Sequence, residues 1–198
     1  MSLRRCEVNR MAKRKHRTAY QKATADLEAE MHRQCAILYS ATALALHRHW
    51  NKGTQAITRL LDITGEVWHA CATDNTKSMV QMCEEETGIE VTNEEGKSWR
   101  DLAYLNNSFP QMTNAQWAYM RIRQKQWIAP QIMACIMVAL HRKYGFGFER
   151  LSRLYNQIDA IRTEYSLDPD KLREACREET HIDVHEVYTR PREGKEVV

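Results

Sequence analysis

The sequence predicts an all-α protein built from two internally duplicated three-helix units that pack together. The composition favours helices, because only 7 of the 198 residues are Gly and 4 are Pro, and both residue types are unfavourable inside helices. A second observation is that one stretch of sequence occurs twice, at residues 45–65 and again at residues 139–159. Hydrophobic residues make up 43% of the chain, an ordinary share for a packed core.

The two stretches align at an offset of 94 residues, and seven aligned pairs are identical: Ala45/Ala139, Leu46/Leu140, His47/His141, Arg48/Arg142, Gly53/Gly147, Arg59/Arg153 and Leu60/Leu154. After a slip of one residue the match resumes, with CEEETGIEV at 83–91 against CREETHIDV at 176–184. Two matching blocks in the same order indicate a tandem duplication. A unit of about 60 residues is marginal alone, so two packed copies would make one larger core.

Each unit is predicted to contain a long helix, a second helix and a third helix. The long helix of the first unit is indicated by apolar residues at the spacing of one helical face: Ile37, Leu38, Ala41, Leu44 and Ala45. In unit 1 (residues 23–91) the three helices are predicted at about 24–50, 54–71 and 76–87. In unit 2 (residues 114–188) they are predicted at about 114–144, 148–165 and 169–179.

Glycine and proline positions predict where these helices end and begin. Gly53 and Gly147 are expected to end the long helices in a conformation with positive φ. Asp168 followed by Pro169 predicts the N-cap and first position of a third helix. Pro130 is expected to kink or restart the long helix of unit 2.

The segments outside the helices carry weaker signals. TGIEV at 87–91 and THIDV at 180–184 alternate in polarity, so each is predicted as a short strand, and the two could pair. The linker 92–113 is predicted to hold a short helix at 98–107, then a loop ending in a capping box between Thr113 and Gln116. The last segment, 189–198, is expected to be flexible.

Positive charge is concentrated at the start of the chain. Residues 1–22 carry a net charge of +7, whereas the remaining residues sum to −4. Such a basic arm favours contact with phosphates or an acidic partner; the alternative is a solvated tail. The candidate binding residues in the arm are Arg4, Arg5, Arg10, Lys13, Arg14, Lys15 and Arg17.

Further candidates come from the repeat and from the start of unit 2. The cations of the repeat are interpreted in two ways. They either form phosphate-binding patches, or they bond to the repeated glutamates Glu85/Glu178 and Glu86/Glu179 and so tie the second helix to the third. These cations are Arg48, Arg142, Arg59 and Arg153, together with Arg150. His47 and His141 are expected to bond a last helical carbonyl or to favour the helix dipole.

The segment WAYMRIRQKQW at 117–127 places Arg121, Arg123 and Lys125 among aromatic residues, as in nucleic-acid-binding surfaces. The alternative is that Trp117, Met120 and Trp127 point into the core.

Other motifs point away from catalysis. GFGFERL follows a helix rather than a strand and lacks the residues of a phosphate loop, so Phe146 and Phe148 are interpreted as core or contact residues. His181 and His185 with Cys176 do not make a metal site of familiar spacing. No catalytic motif is recognisable, so a non-enzymatic protein with no cofactor is expected.

Two features predict a cytoplasmic protein. The cysteines are scattered, which suits free thiols in a reducing compartment. The two apolar runs of 12 and 13 residues are too short to cross a bilayer, and no signal peptide is apparent.

The run ALHRKYGFGFERL at 139–151, followed by EETHIDV at 178–184, resembles small helical proteins of phages and mobile elements from gut Firmicutes. In those proteins a helix ends in an "lh.kyGfGkkRL" turn and the unit closes on "ETGI". The likeness covers residues 130–184 best, since HWNKGTQAI in unit 1 lacks the first Gly and both Phe. In size and helical style the chain also resembles gut-phage anti-CRISPR proteins that inhibit type II-A Cas9 and can bind DNA; no functional residue carries over.

Together these observations predict a phage protein that acts by binding in the cytoplasm of a bacterial host. The leading hypothesis is an anti-CRISPR inhibitor of a Cas9-type complex. The alternatives are a phage regulator that binds double-stranded DNA and a phage assembly or scaffold protein, and a homodimer remains open.

Overall fold

The computed structural model describes residues 3–73, 78–93, 95–98 and 114–189. Side chains are described from residue 21 onward within these ranges, except at 71–73, 114–123 and 188–189. The described chain is helical and holds no strand, which confirms the all-α prediction. Its helices are α1 (Leu3–Trp50), α2 (Thr54–Thr73), α3 (Met79–Thr87), α4 (Asn114–Tyr144), α5 (Phe148–Glu164), α6 (Pro169–Thr180) and α7 (Val184–Thr189).

Helix α1 is longer than the sequence analysis predicted. It begins at Leu3 and runs for 48 residues, about 72 Å at the usual helical rise. The basic arm is therefore the first part of this helix. The physical reason is that residues 3–23 contain no Gly or Pro and are rich in Arg, Lys and Ala, which are good helix formers.

The predicted cap of the third helix of unit 2 fits the structure. Asp168 is the N-cap of α6, and its Oδ1 accepts hydrogen bonds from the backbone N–H groups of Asp170 (3.0 Å) and Lys171 (3.2 Å). Pro169 opens the helix. The counterpart cap on α3 is Ser78, whose Oγ accepts from the Gln81 N–H at 3.2 Å. These bonds satisfy amide groups that have no partner inside the helix.

The assignment of positive φ to Gly53 and Gly147 was wrong. Positive φ falls two residues earlier, on Asn51 (49°) and Gly145 (61°), which directly follow α1 and α4. Gly147 instead has φ −79° and is the N-cap of α5. The left-handed residue stands immediately after the last helical residue, because there it reverses the chain and satisfies the final carbonyls.

The predicted strands are not present in the described chain. Residues 88–93 have no regular secondary structure, and Val184 begins the short helix α7. The alternating apolar residues are buried nonetheless: Ile89 and Val91 after α3, and Ile182, Val184 and Val187 after α6. The alternation of polar and apolar residues therefore belongs to segments that cover the core, and not to strands of a sheet.

The helices of the two units are interleaved. Helix α1 packs chiefly against α4, α5 and α6, whereas α4 packs chiefly against α1, α2 and α3. Contacts of each long helix with the second helix of its own unit are few. The fold thus contains two three-helix groups, each combining the long helix of one unit with the second and third helices of the other. This differs from the expected face-to-face packing of two complete units.

The core lies along the contact between α1 and α4. Residues Ala36–Leu46 of α1, and 132–140 of α4, are buried without interruption. Pro130 is also buried, and α4 continues through it, so the expected restart does not occur. The short apolar side chains of α1, such as Ala41, Ala43 and Ala45, are fully buried, and small residues allow two helices to approach closely.

Several sequence predictions concern residues outside the described ranges. These are most of the linker with its predicted helix at 98–107, the loop up to Thr113, and the tail beyond residue 189. In the described part of the chain, no helix is both long enough and apolar enough to span a membrane.

Candidate functional site

The basic arm lies in a part of α1 that has no counterpart in the described part of α4. In the alignment of the two units Asn114, where α4 begins, corresponds to Tyr20, so α1 extends 17 residues further (48 against 31). We call residues 3–19 the basic extension. It holds seven basic residues against Glu7 alone, a net charge of +6: Arg4, Arg5, Arg10, Lys13, Arg14, Lys15 and Arg17.

Four of the basic residues occupy positions on one side of the helix. Arg10, Lys13, Arg14 and Arg17 follow the spacing i, i+3, i+4, i+7 in a continuous helix, so their positions share one face. The extension spans about 25 Å at the helical rise. It is continuous with the buried stretch Ala36–Leu46, so the body of the protein fixes the direction of the helix.

Arg48 is committed to intramolecular bonds. Its Nε and Nη2 donate to the two carboxylate oxygens of Glu179 at 2.8 and 2.5 Å, Nη1 donates to Glu164 at 3.2 Å, and Nη2 also donates to the Tyr165 hydroxyl at 2.9 Å. The hydrogen bond from Arg48 holds the pKa of the Glu179 carboxyl below its ordinary value. The pKa of Arg48 is raised, chiefly by the same bond.

Arg142 makes the corresponding pair on the other side of the molecule. Its Nε and Nη2 donate to Glu86 at 2.9 and 2.6 Å, and Nη2 also contacts the Met82 Sδ at 3.5 Å. The hypothesis that the repeated arginines bond to the repeated glutamates therefore holds for Arg48 and Arg142, but the helices that these bonds join are not the predicted ones. The bonds join the long helix of one unit to the third helix of the other, not the second helix to the third.

Arg59 and Arg153 differ from this pair. Both side chains are exposed, and neither makes a hydrogen bond or ion pair with another described residue. Arg150, in the first turn of α5, lies with its guanidinium carbon 5.9 Å from the centre of the Phe146 ring. These cations remain available to an external partner.

The third candidate cluster lies at the start of α4. Lys125 is half-buried and Trp127 is buried, which fits the alternative that Trp127 belongs to the core. Arg121 and Arg123 belong to α4 by their backbone, but their side chains, like those of Trp117 and Met120, lie outside the described set.

The repeated histidines hold the turns after the long helices. His47 Nδ1 lies 3.4 Å from the carbonyl oxygen of Lys52, and His141 Nδ1 lies 2.9 Å from that of Phe146. A carbonyl only accepts, so Nδ1 must carry the proton in both contacts. The histidines thus bind the chain beyond the helix rather than its last carbonyls.

The two phenylalanines of GFGF have different environments. Phe146 is buried and its ring centre lies 5.1 Å from that of Trp50. Phe148 is 57% exposed, and its ring approaches Gly88 at the end of α3. One is therefore a core residue, and the other is a surface residue.

The described cysteines are protected thiols. Cys35, Cys83, Cys135 and Cys176 are free. Burial raises the pKa of Cys35 to about 12, and of Cys83 and Cys176 to about 11. Across the described ranges, no group of three His, Cys, Asp or Glu residues is placed to hold a metal ion.

The sequence analysis did not identify an open groove between the end of α1 and the outer side of α5. It has a volume of about 440 Å³ and is lined by Arg48, His49, Arg153, Asn156, Gln157, Ala160, Ile161 and Glu164. A signal was present in the repeat, because Asn156 and Ala160 replace Asp62 and Glu66 of unit 1.

Comparison of the chain with protein-family models, with curated protein sequences and with solved structures finds no significant match.

Proposed function

We propose that this chain is a non-enzymatic phage protein that inhibits a host nucleic-acid-targeting complex of the Cas9 type. In this proposal the basic extension contacts phosphates of the nucleic acid that the complex holds or must bind, and so competes with the complex. The observation that carries the proposal is the position of the charge. The basic extension, residues 3–19 of α1, contains seven of the predicted binding residues and a net charge of +6.

Charge of this density favours nucleic acid over a neutral partner. Each basic side chain that meets a phosphate releases condensed counterions, which supplies much of the free energy of binding. Because the extension continues a buried helix, less conformational entropy is lost on binding than for a disordered tail. The Cas9-type target itself rests on the resemblance to gut-phage anti-CRISPR proteins.

The repeated arginines support this assignment by contrast. Arg48 and Arg142 are each bonded to carboxylates, so contact with phosphates would require those bonds to break. The extension carries one carboxylate among its seven cations. Phosphate binding is therefore assigned to the extension rather than to Arg48 and Arg142.

The test uses the full chain and two variants with equal loss of charge. The first replaces Arg10, Arg14 and Arg17 of the extension with Gln. The second, a control, replaces Arg59, Lys143 and Arg177, which are exposed and unpaired among the described residues. Cleavage of target DNA by a purified type II-A Cas9–guide complex is measured with each protein. We expect inhibition by the full chain and by the control, and its loss in the extension variant.

Binding to free duplex DNA distinguishes the alternatives. If the full chain binds DNA tightly without inhibiting cleavage, the phage regulator replaces the proposed inhibitor. The plot of log K against log salt concentration should then be less steep in the extension variant, by about 2–3, because each lost phosphate contact removes about 0.9 from the slope. Stable homo-oligomers with neither activity would favour a scaffold protein.

A further inference from the structure

Some of the residues that line the groove between α1 and α5 differ in charge from the residues at the corresponding positions of unit 1. Unit 1 has carboxylates at positions 62 and 66, three and seven residues after Arg59, on the same side of α2. Unit 2 has Asn156 and Ala160 at the corresponding positions after Arg153. The carboxylates three and seven residues after the arginine are thus absent in unit 2, and Glu149, four residues before Arg153, makes no ion pair with it. The small Ala160 leaves open space in the groove.

The unpaired groups in the groove can all donate hydrogen bonds: the Arg153 guanidinium only donates, whereas the Asn156 amide and a neutral His49 ring can donate or accept. Arg153, His49 and Asn156 make no hydrogen bond or ion pair with another described residue. The Gln157 side-chain oxygen accepts from the Trp50 indole N–H at 2.7 Å, which leaves the amide N–H groups of Gln157 free to donate. The acceptor at the far end, Glu164, is already bonded to Arg48. The groove therefore suits a ligand rich in acceptors.

The shape favours a protein segment over a small molecule. Sites for small molecules enclose most of their ligand, whereas this groove is open along its length. It follows about three turns of α5, from Arg153 to Glu164, about 17 Å. A helix of a partner protein could lie along it and place side chains in the space above Ala160.

The surrounding charge favours individual carboxylates over a phosphate backbone. Arg48 is shared by the two carboxylates of Glu164 and Glu179, so negative charge is in excess at that end of the groove. A polyphosphate chain running along the groove would be repelled there. A protein helix can instead present a carboxylate at Arg153 and none near Glu164.

We propose that the groove is a docking site for an acidic helix of a partner protein, with Arg153 as the residue that bonds its carboxylate. This surface is separate from the basic extension. Arg17, the last cation of the extension, and Arg48 are 31 residues apart on one continuous helix, about 46 Å. A chain with nucleic-acid contact at one end and protein contact at the other could bind both components of a nucleoprotein complex. The docking site itself does not depend on the proposed inhibition.

The Trp50 indole provides a direct readout, because its hydrogen-bond acceptor Gln157 lines the groove. The full chain, labelled with ¹⁵N, is titrated with a capped Ala-rich helical peptide that carries a single Glu near one end. The same peptide with Lys in place of Glu, inorganic phosphate, and a short DNA duplex are the other probes. We expect a saturable shift of the Trp50 indole resonance with the Glu peptide alone.

Two variants and a matched control follow from the repeat. Arg153→Ala should weaken binding of the Glu peptide at least about tenfold, as expected for loss of a charged hydrogen bond. Ala160→Glu, which installs the residue of unit 1, should abolish it by filling the groove and neutralising Arg153. Arg59→Ala, the counterpart substitution in unit 1, should change the affinity less than about twofold.

Three results would overturn the proposal. The first is no shift of Trp50 with the Glu peptide at millimolar concentration. The second is equal weakening by Arg59→Ala and Arg153→Ala. The third is a shift with phosphate or duplex DNA that Arg153→Ala removes, since the groove would then be a phosphate site. Because Arg153 and Ala160 are exposed, both variants should fold, and their circular dichroism spectra should match that of the original chain.

Discussion

Arg48 near the end of α1 and Glu179 near the end of α6 form a two-bond pair, although 131 residues separate them along the chain. Arg142 and Glu86 repeat the arrangement with α4 and α3. Each pair joins the long helix of one unit to the third helix of the other. These pairs therefore stabilise the interleaved packing itself.

Removing one partner of this pair should lower stability modestly. Arg48→Ala or Glu179→Gln is expected to reduce the free energy of unfolding by about 1–2 kcal/mol, since the bonds are charged but partly exposed. A double-mutant cycle by urea denaturation should give a coupling energy of about 0.5–1 kcal/mol. Strictly additive effects would show that the pair contributes nothing to stability.

Acid should remove the contribution of Glu179. Arg48 lowers the pKa of this carboxyl in the folded protein from 4.5, so its stabilisation is complete above about pH 4.5 and is lost as the pH falls through the lower folded pKa. The difference in unfolding free energy between the original chain and Glu179→Gln should therefore shrink between pH 6 and pH 3. A difference that is constant over this range would contradict the assignment.

Two glycines in one turn provide a test of the corrected helix end. Gly145 has φ of +61°, whereas Gly147 has φ of −79°. Gly145→Ala should lower the free energy of unfolding by about 1 kcal/mol through backbone strain. Gly147→Ala should stay within about 0.5 kcal/mol, because the weaker N-cap that Ala makes is offset by the lower entropy of the unfolded chain, and its Cβ position has open space. The reverse order in thermal denaturation would restore the original assignment.

Buried hydroxyls predict opposite effects at two sites. Ser40 is fully buried, and its Oγ has no hydrogen-bond partner among the described residues. Thr87 Oγ1 donates to the Cys83 carbonyl at 2.7 Å and accepts from the Ile89 N–H at 3.1 Å. Ser40→Ala should be neutral or raise the melting temperature, whereas Thr87→Val should cost about 1–2 kcal/mol. Equal losses would mean that Ser40 is bonded in solution.

Cutting the chain between the units should not separate them. Cleavage at a protease site inserted between residues 99 and 113 of the full chain would produce two fragments, one with α1–α3 and the other with α4–α7. Each three-helix group draws helices from both fragments, so the fragments should co-elute on size-exclusion chromatography. Separation without denaturant would show that the interleaved contacts are weak.

The sequence predicted local features well because local forces determine them. The cap at Asp168 follows from its carboxylate and from Pro169. The ends of α1 and α4 at Trp50 and Tyr144 were predicted from Gly53 and Gly147, although Asn51 and Gly145 take the positive φ. The interleaving could not be predicted, because the sequence of an apolar helix face is the same whether helices of its own unit or of the other unit pack against it. The alternation in Ile182 and Val184 was likewise compatible with a strand or with chain that seals a core.

The candidate site was predicted in a similarly uneven way. Charge identified the basic extension, because a concentration of cations is visible in the sequence. The groove beside Arg153 depends on the short side chain of Ala160, which the comparison of the two units shows, and on the distance between α1 and α5, which only three-dimensional packing reveals.

The interleaving also constrains how the chain is made. During synthesis α1 emerges first, but its partners α5 and α6 end at residues 164 and 180. The parts of α1 that pack against α5 and α6 must therefore stay uncovered until synthesis has passed residue 180. Folding that waits for such distant partners is slow, and the exposed apolar face of the nascent helix would be a target for chaperones.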